Sequence, residues 1–448
     1  MVFRQILIAF LFLLLNMGMF GHTFNGRIEG YNLKTLNICT QFGDESRLLE
    51  TISTNFGGEF LYNFDAEETG LYRIYFDNND FFDIIYNNED IEIVTKFANP
   101  QYNMTVLKSK ENEQFYSYII SNYEYDYKIE VLKQLLNVYP HGEFYKKAEK
   151  ELNMEVDNRN KNLTDIIKMD PNSFAGRYIS YFKEVVAPVK YNDAQKKEYV
   201  KTTYLSNFRF DDVEMLNSDA YNHIVLNYLK LNSNNDPVLY YESAVRVMNN
   251  LSTADPRISK FILEYILTGF EIMGIDEEAA KLSLDFGDIC SDSDDDYSLM
   301  MRIKSNTQLK VGSKAPDISS KTVSGKEFTL SNMKSGYTLV IFWATWCEHC
   351  RNFMPRLSKD MSLFKQANMD IVSVSVDNDK TVLHSFLKEN PFPWETICDY
   401  KGWDGEIVDK YAIYATPMMF IIDKDMKIVS KPTNENRLYI EIEKLLNK

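Results

Sequence analysis

Tyr337-Thr338-Leu339-Val340-Ile341-Phe342-Trp343-Ala344-Thr345-Trp346-Cys347-Glu348-His349-Cys350 is the stretch on which the reading of this chain turns. Its first half is an unbroken apolar run rich in β-branched and aromatic residues, the pattern of a strand buried on both faces. Its second half is a CxxC that opens a helical pattern running to about Gln366. A chain that passes from strand to helix here does three physical things. It exposes the first thiol at the carboxyl end of the strand, aims unpaired helical N–H groups and the positive end of the dipole at it, and holds the second thiol one turn away within disulfide reach. Thiolate character at Cys347 follows, because helix N-termini and CxxC contexts lower a cysteine pKa from about 8.5 to roughly 3.5–7.5. Geometry then divides the work. Cys347, at the exposed start of the helix, is expected to attack a substrate disulfide or carry the bond to a substrate thiol, and the more buried Cys350 to resolve the mixed disulfide. Glu348 and His349 are expected to tune the redox balance, Glu348 by opposing a neighbouring thiolate and His349 by favouring it. Trp343 is expected in the core and Trp346 beside Cys347, a partly exposed lip for substrate docking.

On these residues the C-terminal stretch, about 309–448, resembles a thioredoxin-like domain of the TlpA/ResA type, the exported thiol-disulfide oxidoreductases of bacteria. The likeness begins at Val311-Gly312-Ser313-Lys314-Ala315-Pro316-Asp317, similar to the G-x-x-A-P-D opening of that group. It continues through the F-W-A-T-W-C-x-x-C run to Ala415-Thr416-Pro417-Met418-Met419-Phe420-Ile421-Ile422-Asp423, similar to T-P-x-x-F-x-I-D. The resemblance implies a cis peptide at Thr416-Pro417 facing the two cysteines, with the Thr416 backbone groups left free to pair with an extended substrate segment. It implies that Asp377 to Tyr414 holds the helix and strand these proteins add to plain thioredoxin, and that Pro355 kinks the helix after the motif. Two positions depart from the pattern. Ile341 stands where thioredoxin has a buried aspartate, and Phe353 where ResA-like reductases have a glutamate, so the acids that move the proton of the resolving cysteine are missing. His349, just before the second cysteine, resembles the arrangement in oxidising DsbA-type proteins. The order of the whole chain resembles the multidomain TlpA-like proteins of Bacteroidota, with an N-terminal domain of unknown function.

Composition bounds the rest. The 448 residues carry 65 acidic and 49 basic side chains, a net charge of −16, which argues against nucleic acid as a partner. The acidity lies upstream: residues 306–448 hold 19 Lys+Arg against 18 Asp+Glu, and this shift suggests a boundary near 306. Arg4 followed by the apolar run Ile6 to Leu15 reads as a signal peptide over 1–21, because ten apolar residues are too few to span a bilayer, which takes about twenty. A periplasmic location follows, with an uncleaved inner-membrane anchor as the alternative. Five cysteines in so long a chain do not make a disulfide scaffold. Cys39 and Cys290 read as buried or incidental, and Cys398 as a buried spectator with a third redox thiol as the alternative.

The fold class expected is multidomain: a small N-terminal antiparallel β-sandwich, a central all-α helical region and a C-terminal α/β thioredoxin-like fold. Period-two alternation such as Phe60, Tyr62, Phe64 and Tyr72, Ile74, Phe76, broken by Gly57-Gly58 and Asn87-Asn88, gives the sandwich over 22–100. Helical spacing takes over across 101–308. One helix is expected to carry Phe174, Tyr178, Tyr181, Phe182 and Val185 on one face, capped by Asn172 or Ser173. Asp170-Pro171, Asp236-Pro237 and Asp255-Pro256 read as helix starts, with Asp accepting from free N–H groups and Pro in the first turn. Tyr123, Tyr125 and Tyr127 read as packing residues. Asp292 to Asp296 read as a solvated loop, since the glycine and distal glutamate of a calcium loop are absent.

No metal or other cofactor is expected. A closed zinc site at Cys347 and Cys350 would need a second ligand pair, and the five histidines supply no such spacing. The expected partners are protein thiols or disulfides and an upstream redox partner in the envelope, with reductase favoured over oxidase. Two alternatives stand beside this reading. One is a binding or assembly protein whose N-terminal domains engage a partner. The other is a thiol peroxidase, which shares the fold but usually places proline and threonine ahead of a single attacking cysteine.

Overall fold

The computed structural model describes residues 21–65, 67–185, 187–188, 191–290 and 297–447. The apolar run Ile6 to Leu15 and the acidic loop Asp292 to Asp296 lie outside the described residues. No helix among the described residues is long and apolar enough to cross a membrane. The chain divides into two compact units, one ending at Leu231 and the other beginning at Asn232.

In the first unit, the alternating N-terminal stretch forms eight strands: β1 His22–Glu29, β2 Thr35–Phe42, β3 Glu45–Ser53, β4 Glu59–Phe64, β5 Gly70–Tyr75, β6 Phe81–Tyr86, β7 Ile91–Lys96 and β8 Thr105–Lys108. They make two open four-stranded sheets in the orders β4-β1-β7-β8 and β3-β2-β5-β6. Inward residues of both sheets, Phe24, Ile28, Phe64, Ile93 and Leu36, Ile38, Ile74, Ile84 among them, are fully buried, as period-two alternation demands. Phe64 and Tyr86 stack with ring centroids 3.8 Å apart, joining one sheet to the other. Arg73 and Asp83 form a bidentate cross-strand pair at 2.8 and 3.0 Å. The sandwich is not wholly antiparallel. β1 pairs with β7 in parallel, because β7 enters after β5 and β6 have been laid in the other sheet and no tight turn dictates its direction.

Helices follow: α1 Lys110–Val138, α2 Glu143–Ile167, α3 Phe174–Ser180, α4 Asp193–Thr203 and α5 Ala220–Ser233. Ser173 caps α3 by accepting from Gly176 N. This helix is shorter than its apolar spacing suggests, and Phe182 and Val185 lie beyond its end. The Tyr181 and Phe182 amides donate three residues back, to Tyr178 and Ile179, and the chain leaves the helix toward Pro188. Asp170-Pro171 does not start a helix; Asp170 instead accepts from the Asn172 and Ser173 amides in a turn. Tyr123 and Tyr127, four residues apart, share an exposed face of α1 while Asn122 and Ile129 turn inward; Tyr123 packs on Tyr102, with ring centroids 4.3 Å apart, and not in the core.

In the second unit, α6 Pro237–Asn250, α7 Pro256–Met273, α8 Asp276–Phe286 and α9 Tyr297–Gln308 precede the sheet. Asp236 and Asp255 cap α6 and α7 with proline in the first turn, as expected. The left-handed Gly274 ends α7 at φ +71, where a Cβ would also strike Arg437. The helical stretch 101–308 is therefore divided between the two units.

The C-terminal fold is thioredoxin-like. A hairpin of β9 Ser319–Lys321 and β10 Glu327–Thr329 leads to β11 Tyr337–Trp343, α10 Glu348–Leu357, α11 Met361–Gln366, β12 Met369–Ser375, α12 Lys380–Glu389, β13 Glu395–Ile397, α13 Glu406–Lys410, β14 Met418–Asp423, β15 Ile428–Ser430 and α14 Glu435–Leu446. The sheet order is β13-β12-β11-β14-β15. β11 is parallel to β12 and antiparallel to β14. Because strand side chains alternate, Val340 and Phe342 enter one core while Leu339, Ile341 and Trp343 enter the other with α10. α12 and β13 lie within Asp377 to Tyr414, the stretch expected to hold a further helix and strand.

Candidate active site

Central strand β11 delivers the chain to the site and a buried carboxylate holds it there. Asp377, just past β12, accepts from Thr345 N at 3.1 Å, Thr345 Oγ1 at 2.5 Å and Ser375 Oγ at 2.6 Å. Thr345 is thereby fixed two residues before Cys347. Cys347 is the N-cap of α10, and its Sγ accepts from Cys350 N at 3.2 Å. The helix N-terminus thus aims a backbone donor at the first sulfur. Pro355 lies inside α10, as expected.

Both thiols are free and opposed by the turn before β14, where Thr416-Pro417 is cis. The Cys347 thiol donates to the Thr416 carbonyl oxygen at 3.3 Å. Two expectations are corrected here. Cys347 is only 8% exposed, against 0% for Cys350, so the attacking sulfur shows a tip rather than a face. The Thr416 carbonyl is not free in this dithiol form, because the thiol is its nearest donor. The order of accessibility still matches the expected roles.

Electrostatics separate the two sulfurs. Burial, followed by its hydrogen bond with Cys347, pushes the Cys350 thiol up to about 12. Ile341 and Phe353, the two positions that depart from the expected pattern, both belong to the apolar cluster that encloses Cys350. Glu348 and His349 are exposed on the first turn of α10.

Trp343 is fully buried, while Trp346 is 52% exposed and lies 5.8 Å, centroid to centroid, from Trp403. Trp403 and Asp377 escaped the sequence reading. An Asp closing an apolar strand, as in Val372-Ser373-Val374-Ser375-Val376-Asp377, was a usable signal for the second; nothing local pointed to the first. Cys398 shares the apolar cluster of the redox pair, but its hydrogen bonds run to the Asp377 carbonyl and the Tyr400 amide, and burial pushes its thiol up. Cys39 is a buried residue of β2, also shifted up by burial.

Residues 311–431 match the AhpC/TSA family model. The C-terminal domain belongs to that thioredoxin-like family. The thiol-disulfide oxidoreductase ResA of Bacillus subtilis is 30% identical over 122 residues, which span 27% of this chain and 66% of that relative's length. The thioredoxin domain of a thiol-disulfide oxidoreductase from Bacteroides vulgatus is 30% identical with a TM-score of 0.28, covering 31% of this chain and 98% of that one. A thioredoxin-like protein from Bacteroides caccae is 15% identical with a TM-score of 0.41, covering 59% of this chain and 97% of that one.

The domain can therefore do thiol chemistry in two steps. In such an arrangement a thiolate on Cys347 would attack one sulfur of a disulfide and expel the other as a thiolate; Cys350, after losing its proton, would attack the Cys347 sulfur and expel the second substrate sulfur as a thiolate.

Proposed function

We propose that this protein is an exported thiol-disulfide oxidoreductase that exchanges a Cys347–Cys350 disulfide or dithiol with protein substrates, working as a reductase rather than an oxidase. The carrying observation is the pair itself, with Cys347 as cap of α10, one donor amide on its sulfur, and Cys350 sealed one turn behind it. Relatives named thiol-disulfide oxidoreductases support the activity. Trp346, Thr416 and Pro417 form the docking edge, and Glu348 and His349 set the potential. The apolar run Ile6 to Leu15 supports export to the periplasm, where an upstream redox partner would recharge the pair.

Trapping tests this. In Cys350→Ser the mixed disulfide has no resolving thiol, so substrate proteins should accumulate on Cys347; recovering none under native, exported conditions contradicts the proposal. Reduction of insulin disulfides by the wild type but not by Cys347→Ser separates it from a binding or assembly role. Failure to consume hydrogen peroxide separates it from a thiol peroxidase.

A further inference from the structure

Within the second unit, helices upstream of the thioredoxin-like domain reach the turn that faces the redox pair. Glu271, buried on α7, accepts from the Tyr414 hydroxyl at 3.0 Å and from Asn306 Nδ2 at 2.9 Å. Arg302 of α9 pairs with the same carboxylate at 3.3 Å, hydrogen-bonds Thr268, and lies 4.7 Å from the centroid of the Tyr414 ring. Lys431, beyond β15, donates to Ser305 Oγ of α9 at 3.0 Å. The cluster borders a cavity of about 250 Å³ whose wall includes Ala415 and Pro417. Only Ala415 separates Tyr414 from Thr416, whose carbonyl accepts from Cys347.

A hydroxyl that donates to a buried carboxylate makes a strong, directional contact. Burial and the Glu271 carboxylate both raise the pKa of that hydroxyl, so its proton stays in place. We propose that Glu271 is a positioning residue for the thiol chemistry: through Tyr414 it sets where the Thr416 carbonyl stands over Cys347. The upstream helices are then a working part of the redox site. This rests on the reading of Cys347 and Cys350 as the exchanging pair. A carbonyl that accepts from a thiol favours the protonated sulfur. Loosening Tyr414 releases that contact, so Cys347 ionises more readily, and the same carbonyl is less well placed to receive a substrate segment.

The test uses the full chain and reads the pH midpoint for alkylation of Cys347, together with kcat and KM on a protein disulfide. Loss of one such contact in Tyr414→Phe should lower the midpoint by about half a pH unit and raise KM about threefold with kcat little changed. Glu271→Ala removes the acceptor of Tyr414 and should shift both readouts as Tyr414→Phe does, and Glu271→Gln, which keeps an acceptor, should restore them toward wild type. Lys304→Ala breaks a different contact of α9, the 2.7 Å pair with Asp409 on α13, and should leave the midpoint where it is. A Tyr414→Phe protein with wild-type midpoint and KM overturns the inference, as does an equal shift in Lys304→Ala. Absence of exchange in the wild type would instead sink the oxidoreductase reading.

Discussion

Cys350 resolves a mixed disulfide only as a thiolate, and its surroundings make that costly. It is enclosed with Ile341, Phe353, Met354 and Leu357 in one apolar cluster, and its thiol is pushed up to about 12. Once Cys347 is tied up in a mixed disulfide its own contribution to that shift falls away, but burial, the larger cause, remains. A thiol that burial holds above its ordinary range is ionised in only a small fraction of molecules at pH 7, and this fraction grows about tenfold per pH unit. The rate of resolution should therefore climb steadily from about pH 6 to 9 without a plateau. A chromogenic aromatic disulfide measures it: the first chromophore leaves when Cys347 attacks and the second when Cys350 closes the ring, with Cys350→Ser as the control lacking the second phase. Phe353→Glu places a carboxylate one turn beyond Cys350 on the same face of α10. It should speed the second phase at neutral pH by about tenfold and flatten its slope. A wild-type second phase that levels off below about pH 8, or a folded Phe353→Glu protein with unchanged rates, refutes this reasoning.

Other perturbations test the frame around the pair. Asp377→Ala strands the Thr345 amide and hydroxyl and the Ser375 hydroxyl, and should lower stability by about 3 kcal/mol in urea unfolding. A loss under about 1 kcal/mol would mean that the carboxylate does not anchor the turn. Trp346→Ala should raise KM for a protein disulfide about tenfold while leaving the rate with the small aromatic disulfide unchanged; equal effects on both would remove the docking role. Arg73→Ala leaves the buried Asp83 without its partner and should cost about 3–5 kcal/mol at pH 7. Burial already raises the Asp83 pKa, and the variant raises it further above the unfolded value. Its folded state then binds the extra proton, so the variant should regain stability as pH falls toward about 5, and unfolding curves at both pH values check this.

What the sequence disclosed was local. An uninterrupted run from Thr338 to Trp343 admits little but a central strand, and Cys347 with Cys350 carries its chemistry in its spacing. A two-layered strand region was legible from alternation, and the caps of α6 and α7 from Asp-Pro pairs. What stayed hidden depends on contacts far along the chain. Nothing local to Glu271 or Arg302 points to Tyr414, since an amphipathic face does not say what it packs against. The parallel pairing of β1 with β7 has no turn to announce it. α3 ends at Ser180 although apolar spacing continues to Val185, so spacing alone does not mark its end.

The most direct measurement is the equilibrium of the full chain in glutathione buffers, with peptide mass mapping to identify the linked cysteines. One reversible two-electron transition should join Cys347 to Cys350, at a potential nearer about −270 mV than about −120 mV. A chain in which these two sulfurs never join at any glutathione ratio, or in which Cys398 supplies one of the pair, contradicts that pairing.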